Sequence, residues 1–435
     1  MYRFDNALFN FPVTRKHFFS DKQYQLFYFK DQLVMTDNLE KQAKYQIKLN
    51  LTTQLNWIVS DKKIQAFEIS YNNKMKAFYA SPHNYQLLRE MIAGKVFYCG
   101  IKNFYDIQMK VGQGMIGEVY RGVSLTGDYV AIKKCDKQKL ASLQGGIPQF
   151  IQELQLLQQL SHINILKLKE VFFDQQFYYI ITDFIDGKTL HTELLSRPTG
   201  LSISHTLKVM FQILNAVIYI HKKGIMHRDI NPHNIMLSEN VKLIDFGLAR
   251  KIKNQIIFPI AGTPGYMAPE VINYKQDKPY DEKADIFSLG CVLYKMLTGE
   301  NLFHKNKNNF QENKDGFFQL RKNPQHPECN SSKMDQLFVL LAHMLESQPN
   351  DRPSAQFSMM LLNEIDNNNQ QIDRLIRKQQ IMKPINMVTD DMSIEKTPRS
   401  FASNKKEKSN DTIPKSDDIT TQGKKKLSRV IIKNI

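Results

Sequence analysis

The tightest constraint on this chain is one ten-residue run, Ile225-Met226-His227-Arg228-Asp229-Ile230-Asn231-Pro232-His233-Asn234, with Asp245-Phe246-Gly247 following shortly after. Asp229 and Asn234 stand five residues apart, and Asp245 lies on a second turn, so three oxygen-bearing side chains are available to one centre. Such a set suits a carboxylate that takes a hydroxyl proton beside an amide and a carboxylate that hold Mg²⁺ on phosphate oxygens. Three such groups at these spacings seldom arise by chance.

Upstream, Val111-Gly112-Gln113-Gly114-Met115-Ile116-Gly117-Glu118-Val119 fits G-x-G-x-x-G-x-V, in which missing side chains let backbone N–H groups approach phosphates. Residues 119–123 alternate as a strand, Thr126-Gly127-Asp128 turns, and a second strand runs through Val130-Ala131-Ile132-Lys133. A dinucleotide-binding fold would place a helix directly after the glycines, so strand, loop, strand argues against it.

Together these motifs resemble the eukaryotic serine/threonine protein kinases. The resemblance covers residues 105–365 and implies an α+β, two-lobed fold, with a small β-rich lobe and a large helical one. It implies ATP and Mg²⁺ as cofactors and a protein substrate. By the same resemblance Gly112, Gly114 and Gly117 cover the ATP phosphates, and Val119, Ala131 and Met236 sandwich the adenine. Lys133 contacts the α and β phosphates and is held by Glu153, which opens a run similar to the C helix of that family. Thr182 takes the gatekeeper position, and Thr189 falls where many members put an acidic ribose contact. Asp229 orients the substrate hydroxyl and accepts its proton, while Asn234 and Asp245 bind Mg²⁺. Gly262-Thr263-Pro264-Gly265-Tyr266-Met267-Ala268-Pro269-Glu270 resembles the loop that receives Ser/Thr substrates, with the Thr263 hydroxyl on Asp229. Glu270 is expected to pair with Arg352, and Asp285 to brace the catalytic loop.

One departure stands inside the catalytic loop. Serine/threonine kinases carry Lys two residues after the Asp, and here Asn231 replaces it. Losing a preorganised donor at a transferring phosphoryl group costs on the order of 100-fold in rate. Neither Pro232 nor His233 restores the Arg that tyrosine kinases use. The sequence therefore admits a serine/threonine kinase of reduced activity or a pseudokinase scaffold that binds nucleotide and signals through protein contacts. Residues 248–262 contain no Ser, Thr, Tyr, Asp or Glu. Although Arg228 is present, switching by phosphorylation of this loop is not expected. The apolar Ile256, Ile257, Phe258 and Ile260 are expected to set it.

Residues 1–104 read as β-rich, with strand candidates at 24–29, 32–36, 45–51, 55–60, 64–70 and 74–80 and a turn at Asn72-Asn73. Ser81 and Pro82 open a helix in which Tyr85, Leu88, Met91 and Ile92 recur at helical spacing. Strands closed by one helix resemble a pleckstrin-homology-like barrel, although that family carries a Trp in the helix and Trp57 falls in a strand here. The region holds 15 Lys and Arg against 8 Asp and Glu. The resemblance implies a protein or phosphoinositide ligand, the latter near Arg15, Lys16 and Lys22.

Residues 366–435 form a basic, Asn/Gln- then Ser/Thr/Lys-rich tail with the composition of disorder. A short helix over 372–382 is expected to extend the last kinase helix. Thr397-Pro398 and the run from Lys424 to Arg429 offer phosphorylation or docking sites. Four scattered cysteines, no apolar leader and no long uncharged apolar window read as a cytoplasmic protein, with nuclear or peripheral membrane association as further options. Tyr2 excludes N-myristoylation. A net charge of +16 alone is poor support for nucleic acid as a partner.

Overall fold

The computed structural model describes residues 4–37, 42–114, 116–143, 145–252, 260–274, 280–303, 320–367 and 375. Seven antiparallel strands come first: β1 (Phe9–Arg15), β2 (Lys22–Phe29), β3 (Gln32–Thr36), β4 (Ala43–Lys48), β5 (Gln54–Ser60), β6 (Lys63–Tyr71) and β7 (Lys74–Tyr79). Helix α1 (Pro82–Ile92) follows, its first turn capped by the Ser81 hydroxyl, which accepts from the Asn84 N–H at 3.3 Å. The β5–β6 and β6–β7 hairpins turn at Asp61-Lys62 and Asn72-Asn73, all four residues at positive φ. Asn and Asp tolerate that conformation by bonding locally, which is why they mark such turns.

Strand β1 was not expected, because Pro12 interrupts its alternation. It nonetheless buries Phe11 and Val13 and pairs with β2 along its whole length. The missing N–H is tolerated because β7 pairs with β1 only at Thr14. Trp57 on β5 fills the centre, 5.8 Å from the Tyr85 ring on α1 and 5.8 Å from Tyr98. An aromatic from the helix thus meets the strand tryptophan.

The small lobe contains β9 (Tyr105–Gln113), β10 (Gly117–Ser124), β11 (Tyr129–Asp136), α2 (Lys137–Ser142), α3 (Gly146–Gln158), β12 (Leu168–Phe173) and β13 (Phe177–Asp183). Between it and the first unit lies the two-residue strand β8 (Phe97–Tyr98), parallel to β5 on one side and to β12 on the other. One sheet of thirteen strands results, in the order β4-β3-β2-β1-β7-β6-β5-β8-β12-β13-β11-β10-β9. The cores merge as well: Phe172, Tyr179 and Ile181 share a buried cluster with Trp57, Tyr85 and Tyr98. Buried Glu170 on β12 accepts from Arg89 of α1 at 2.6 Å and from the Tyr105 hydroxyl at 2.8 Å. The Arg89 guanidinium also lies 3.9 Å from the Phe104 ring centroid. The first 104 residues thus dock as an extension of the small lobe.

The large lobe holds β14 (Lys188–Thr189), α4 (Leu190–Leu195), α5 (Ile203–Lys222), β15 (Ile225–Met226), β16 (Ile235–Leu237), β17 (Lys242–Leu243), β18 (Arg250–Lys251) and α6 (Pro269–Ile272). Three long helices complete it, α7 (Lys283–Thr298), α8 (Ser332–Met344) and α9 (Ala355–Asp366). By length and composition α5 is apolar enough to cross a membrane, yet it buries Leu207, Met210, Leu214 and Val217 in the lobe's core. Of the helix expected over 372–382, only residue 375 is described, and the tail beyond lies outside the described residues.

Because Arg89 and Glu170 form a buried pair, Arg89→Ala should lower stability by about 3 kcal/mol through the uncompensated carboxylate. Urea unfolding should show one transition, moved to lower midpoint at unchanged slope. Two separate transitions in the wild type would mean that the first unit and the small lobe fold independently.

Candidate active site

The catalytic loop starts where β15 ends, and it is shaped by one buried acid. Asp285, in the first turn of α7, is fully buried and accepts from the backbone N–H groups of His227 at 2.9 Å and Arg228 at 2.8 Å. The oxygen that accepts from His227, Oδ2, also lies 2.9 Å from the His221 ring nitrogen. Burial would raise the Asp285 pKa, but the bond and charge of His221 and the N–H of His227 outweigh it and hold it below 3.8. These bonds keep Arg228 at a φ of 69°, a left-handed conformation that costs a non-glycine residue free energy. The turn that follows presents Asp229.

Asp229 is the hub of the loop. One carboxylate oxygen accepts from the Thr263 hydroxyl at 2.6 Å and from the Asn231 amide at 3.1 Å, and the other accepts from the Asn234 amide at 2.9 Å. Asn234 also donates to the Asp229 carbonyl at 2.8 Å. Its nitrogen end is thereby committed, and its oxygen end is the one a cation can use. Asn231 reaches further, donating to Thr263 Oγ1 at 3.0 Å and accepting from the His233 N–H at 2.9 Å. It occupies the gap between Asp229 and the substrate-loop threonine as a neutral amide.

Asp245 sits at a φ of 59°, with Phe246 fully buried beneath it. The Phe246 ring meets the His227 imidazole edge-on at 4.8 Å, and burial keeps that imidazole neutral by pulling its pKa down. A Cβ placed on Gly247 would meet Asp245 Oδ1 at 3.1 Å and Glu153 Oε2 at 3.4 Å, so the α3 carboxylate reaches the metal-loop turn. Lys133 lies mid-strand in β11, opposite Val119 and Ile180. Burial would lower its pKa, but the charges of Glu153 and then Asp245 outweigh that and raise it above 10.5. Lys133 therefore stays an ammonium in this cleft.

Strand pairing places the nucleotide-side residues. Gly112 faces Val119, Gly117 faces Cys135, and Ala131 faces Thr182, which is buried at the end of β13. Met236 pairs with Thr189 across the β14–β16 ladder. The Thr189 hydroxyl oxygen is used elsewhere, accepting the Thr192 N–H at 3.1 Å to cap α4. The three loop glycines differ in why they are glycine. A Cβ at Gly117 would stand 1.8 Å from the Lys134 carbonyl oxygen, so the fold itself requires it. At Gly112 and Gly114 the nearest atoms are 3.6 and 3.5 Å away and neither φ is positive, so the chain's own packing does not demand glycine. Asn234 and Asp245 supply two oxygen donors, the number that suits Mg²⁺ whose remaining ligands are phosphate oxygens and water.

The structural anchors form as expected. Arg352, its side chain fully buried, donates to both oxygens of Glu270 at 2.6 and 2.8 Å. The sequence profile described as "Protein kinase domain" matches residues 105–362, more than half of the chain. This chain belongs to the protein kinase family.

Similar proteins include the kinase "Calcium-dependent protein kinase 5" of Plasmodium falciparum (isolate 3D7), 35% identical over 217 residues, which are 48% of this chain and 36% of that one. "CBL-interacting serine/threonine-protein kinase 10" of Arabidopsis thaliana is 36% identical over 208 residues, 46% of this chain and 42% of that protein. "Serine/threonine-protein kinase TIO" of Arabidopsis thaliana is 34% identical over 212 residues, 48% of this chain and 15% of that protein. The kinase thus spans less than half the length of each of these relatives.

Two contacts in the kinase had no sequence signal. Arg228 donates to the Tyr280 hydroxyl at 2.8 Å and to the Leu248 carbonyl at 3.3 Å, whereas the motif alone suggested a phosphate grip. Phe97 of β8 packs 5.2 Å from Tyr178, which packs 5.0 Å from Phe150, one turn before Glu153 on α3. A residue before the kinase domain therefore supports the helix that aims Glu153.

Gly117→Ala should destabilise the small lobe, whereas Gly114→Ala should fold normally and bind ATP more weakly; melting curves with and without ATP separate the two. Since the folded Asp285 pKa is depressed, its contribution is present above the unfolded value and is lost as pH falls through the folded one. Asp285→Asn should accordingly flatten the stability loss below about pH 4, measured by urea midpoints across acid pH.

Proposed function

We propose that this chain transfers the γ-phosphoryl group of ATP to Ser or Thr hydroxyls of proteins, at a rate held down by Asn231. The observation that carries this reading is the hydrogen-bonded set of Asp229, Asn231, Asn234 and Thr263. Phosphoryl transfer needs positioning and charge neutralisation more than covalent chemistry. Asp229, held by three side chains, is placed to orient the attacking hydroxyl and take its proton. Thr263 shapes the adjoining substrate loop, and its contact with Asp229 favours an aliphatic hydroxyl. Lys133 supplies fixed positive charge for the α and β phosphates. Asn234 and Asp245 would hold Mg²⁺, which when bound neutralises phosphate charge. Asn231 keeps the positioning half of the usual lysine's role and lacks the cationic half.

Asn231 also favours a second reading, a nucleotide-binding pseudokinase that acts through protein contacts. An Asp229 already aligned by Thr263 and Asn234 weighs for the enzyme. Control by loop phosphorylation is not part of this proposal, because Arg228 is engaged by a tyrosine. Ile260 packs against the core, while Ile256, Ile257 and Phe258 lie outside the described residues. The strand order β4-β3-β2-β1-β7-β6-β5 with its closing helix supports a pleckstrin-homology-like reading of the unit assigned to residues 1–104.

The test is γ-phosphate transfer to a basic protein substrate. Asp229→Ala should abolish turnover while ATP still binds. Asn231→Ala should lower kcat, and Asn231→Lys should raise it on the order of 10-fold to 100-fold with KM for ATP little changed. A wild type that binds ATP without turnover, and stays silent as Asn231→Lys, would establish the scaffold instead.

A further inference from the structure

One buried donor on the cleft side of the small lobe has nothing to bond. The Nε of Arg121, in the middle of β10, is buried without a hydrogen-bond partner, and among the described residues nothing accepts from the rest of its guanidinium. An arginine carries five N–H donors and no acceptor, so a fold that half-buries one ordinarily surrounds it with oxygen atoms. Here the acceptor is missing from the chain itself.

Strand pairing decides which way this side chain points. Along the β10–β11 ladder Arg121 stands opposite Ala131 and Val119 stands opposite Lys133. Residues opposite one another share a face, as do residues two apart along a strand, so all four lie on one side of the sheet. The other side belongs to Gly122, Val130 and Ile132. Val130 and Ile132 are buried in the cluster that holds Trp57, and a Cβ on Gly122 would meet Ile132 Cδ1 at 2.4 Å. Arg121 is therefore turned away from that core and toward the cleft that Lys133 lines.

Rings, not oxygens, hold the guanidinium there. Its central carbon lies 5.0 Å from the centroid of the Tyr129 ring, and that ring lies 6.2 Å from Phe184, the residue after β13. Contact with a ring face orients a guanidinium without supplying lone pairs to its N–H groups. The donors are thus positioned and unspent.

We propose that Arg121 completes its hydrogen bonding on the nucleotide, donating to a ring nitrogen of the purine base and so contributing to the choice of nucleotide. The proposal rests on the reading of this cleft as a nucleotide site, with the α and β phosphates at Lys133 and the base against Ala131. Arg121 is the cross-strand neighbour of Ala131 and stands two residue pairs from Lys133, about 7 Å along the strand. That separation places it at the base end of the ligand, where the acceptors are ring nitrogens and not phosphate oxygens.

The test is calorimetric titration of the full chain with ATP and with its 1-deaza, 3-deaza and 7-deaza analogues, each of which replaces one ring nitrogen by C–H. ATP should bind about 10-fold more weakly to Arg121→Ala than to the wild type. One analogue should bind the wild type about 10-fold more weakly than ATP does, and that handicap should vanish in Arg121→Ala, which no purely structural role would produce. Arg121→Lys should recover part of the affinity, because it restores a donor without the planar fork. The melting temperature without nucleotide should hold or rise in Arg121→Ala, since the substitution removes an unsatisfied buried donor. Handicaps that are the same for every analogue in wild type and Arg121→Ala would overturn the proposal, as would a lowered melting temperature with unchanged ATP affinity. A wild type that binds ATP, weakens in Lys133→Ala and is unchanged in Arg121→Ala would overturn it alone. A wild type that binds no ATP would overturn the nucleotide reading together with it.

Discussion

The catalytic half of this protein depends on a charge removed from water. Asp285 lies fully buried at the start of α7, and its desolvation is offset by two backbone N–H groups and His221. Those bonds hold Arg228 in a left-handed conformation, and the turn it makes places Asp229 between Thr263 and Asn234. A buried carboxylate whose acceptors are filled is rigid in a way that an exposed one is not. The position of Asp229 is therefore set mainly by a residue 56 places later in the chain that has no part in the chemistry.

A second constraint comes from the other end of the chain. The two residues of β8 pair with strands on either side, and through them the first unit and the small lobe share one sheet and one cluster of aromatic side chains. Glu170 gathers an arginine from one unit and the tyrosine that opens the other. The route from Phe97 through Tyr178 to Phe150 ends a turn from Glu153, so packing outside the kinase domain bears on the carboxylate whose charge raises the Lys133 pKa. Interiors packed to this density transmit displacement, which makes the first unit a determinant of site geometry.

Much of the fold was legible because local chemistry and the final structure agree. Alternation located six of the seven first strands, and Ser81-Pro82 and Asn72-Asn73 announced their cap and turn. Strand β1 was missed because Pro12 reads as a breaker, a penalty that its sparse second ladder removes. Asp229, Asn234, Asp245, Lys133 and Glu153 were legible as a set through their spacing, and the fold brings them to one cleft. Tyr280, Glu170, Arg89 and Phe97 were not legible. Each acts by meeting a residue distant in sequence, and no local pattern distinguishes it from an ordinary core or surface residue.

By itself, then, the sequence determined the residue types of the site, the order of its parts and the absence of a lysine at position 231, because these follow from spacing and side-chain chemistry. Tertiary structure decided what Asn231 does in that place, which arginine is already engaged, and that the first unit is built into the small lobe. Those outcomes depend on distances between residues far apart in the chain, and such distances exist only once the cores have closed around them.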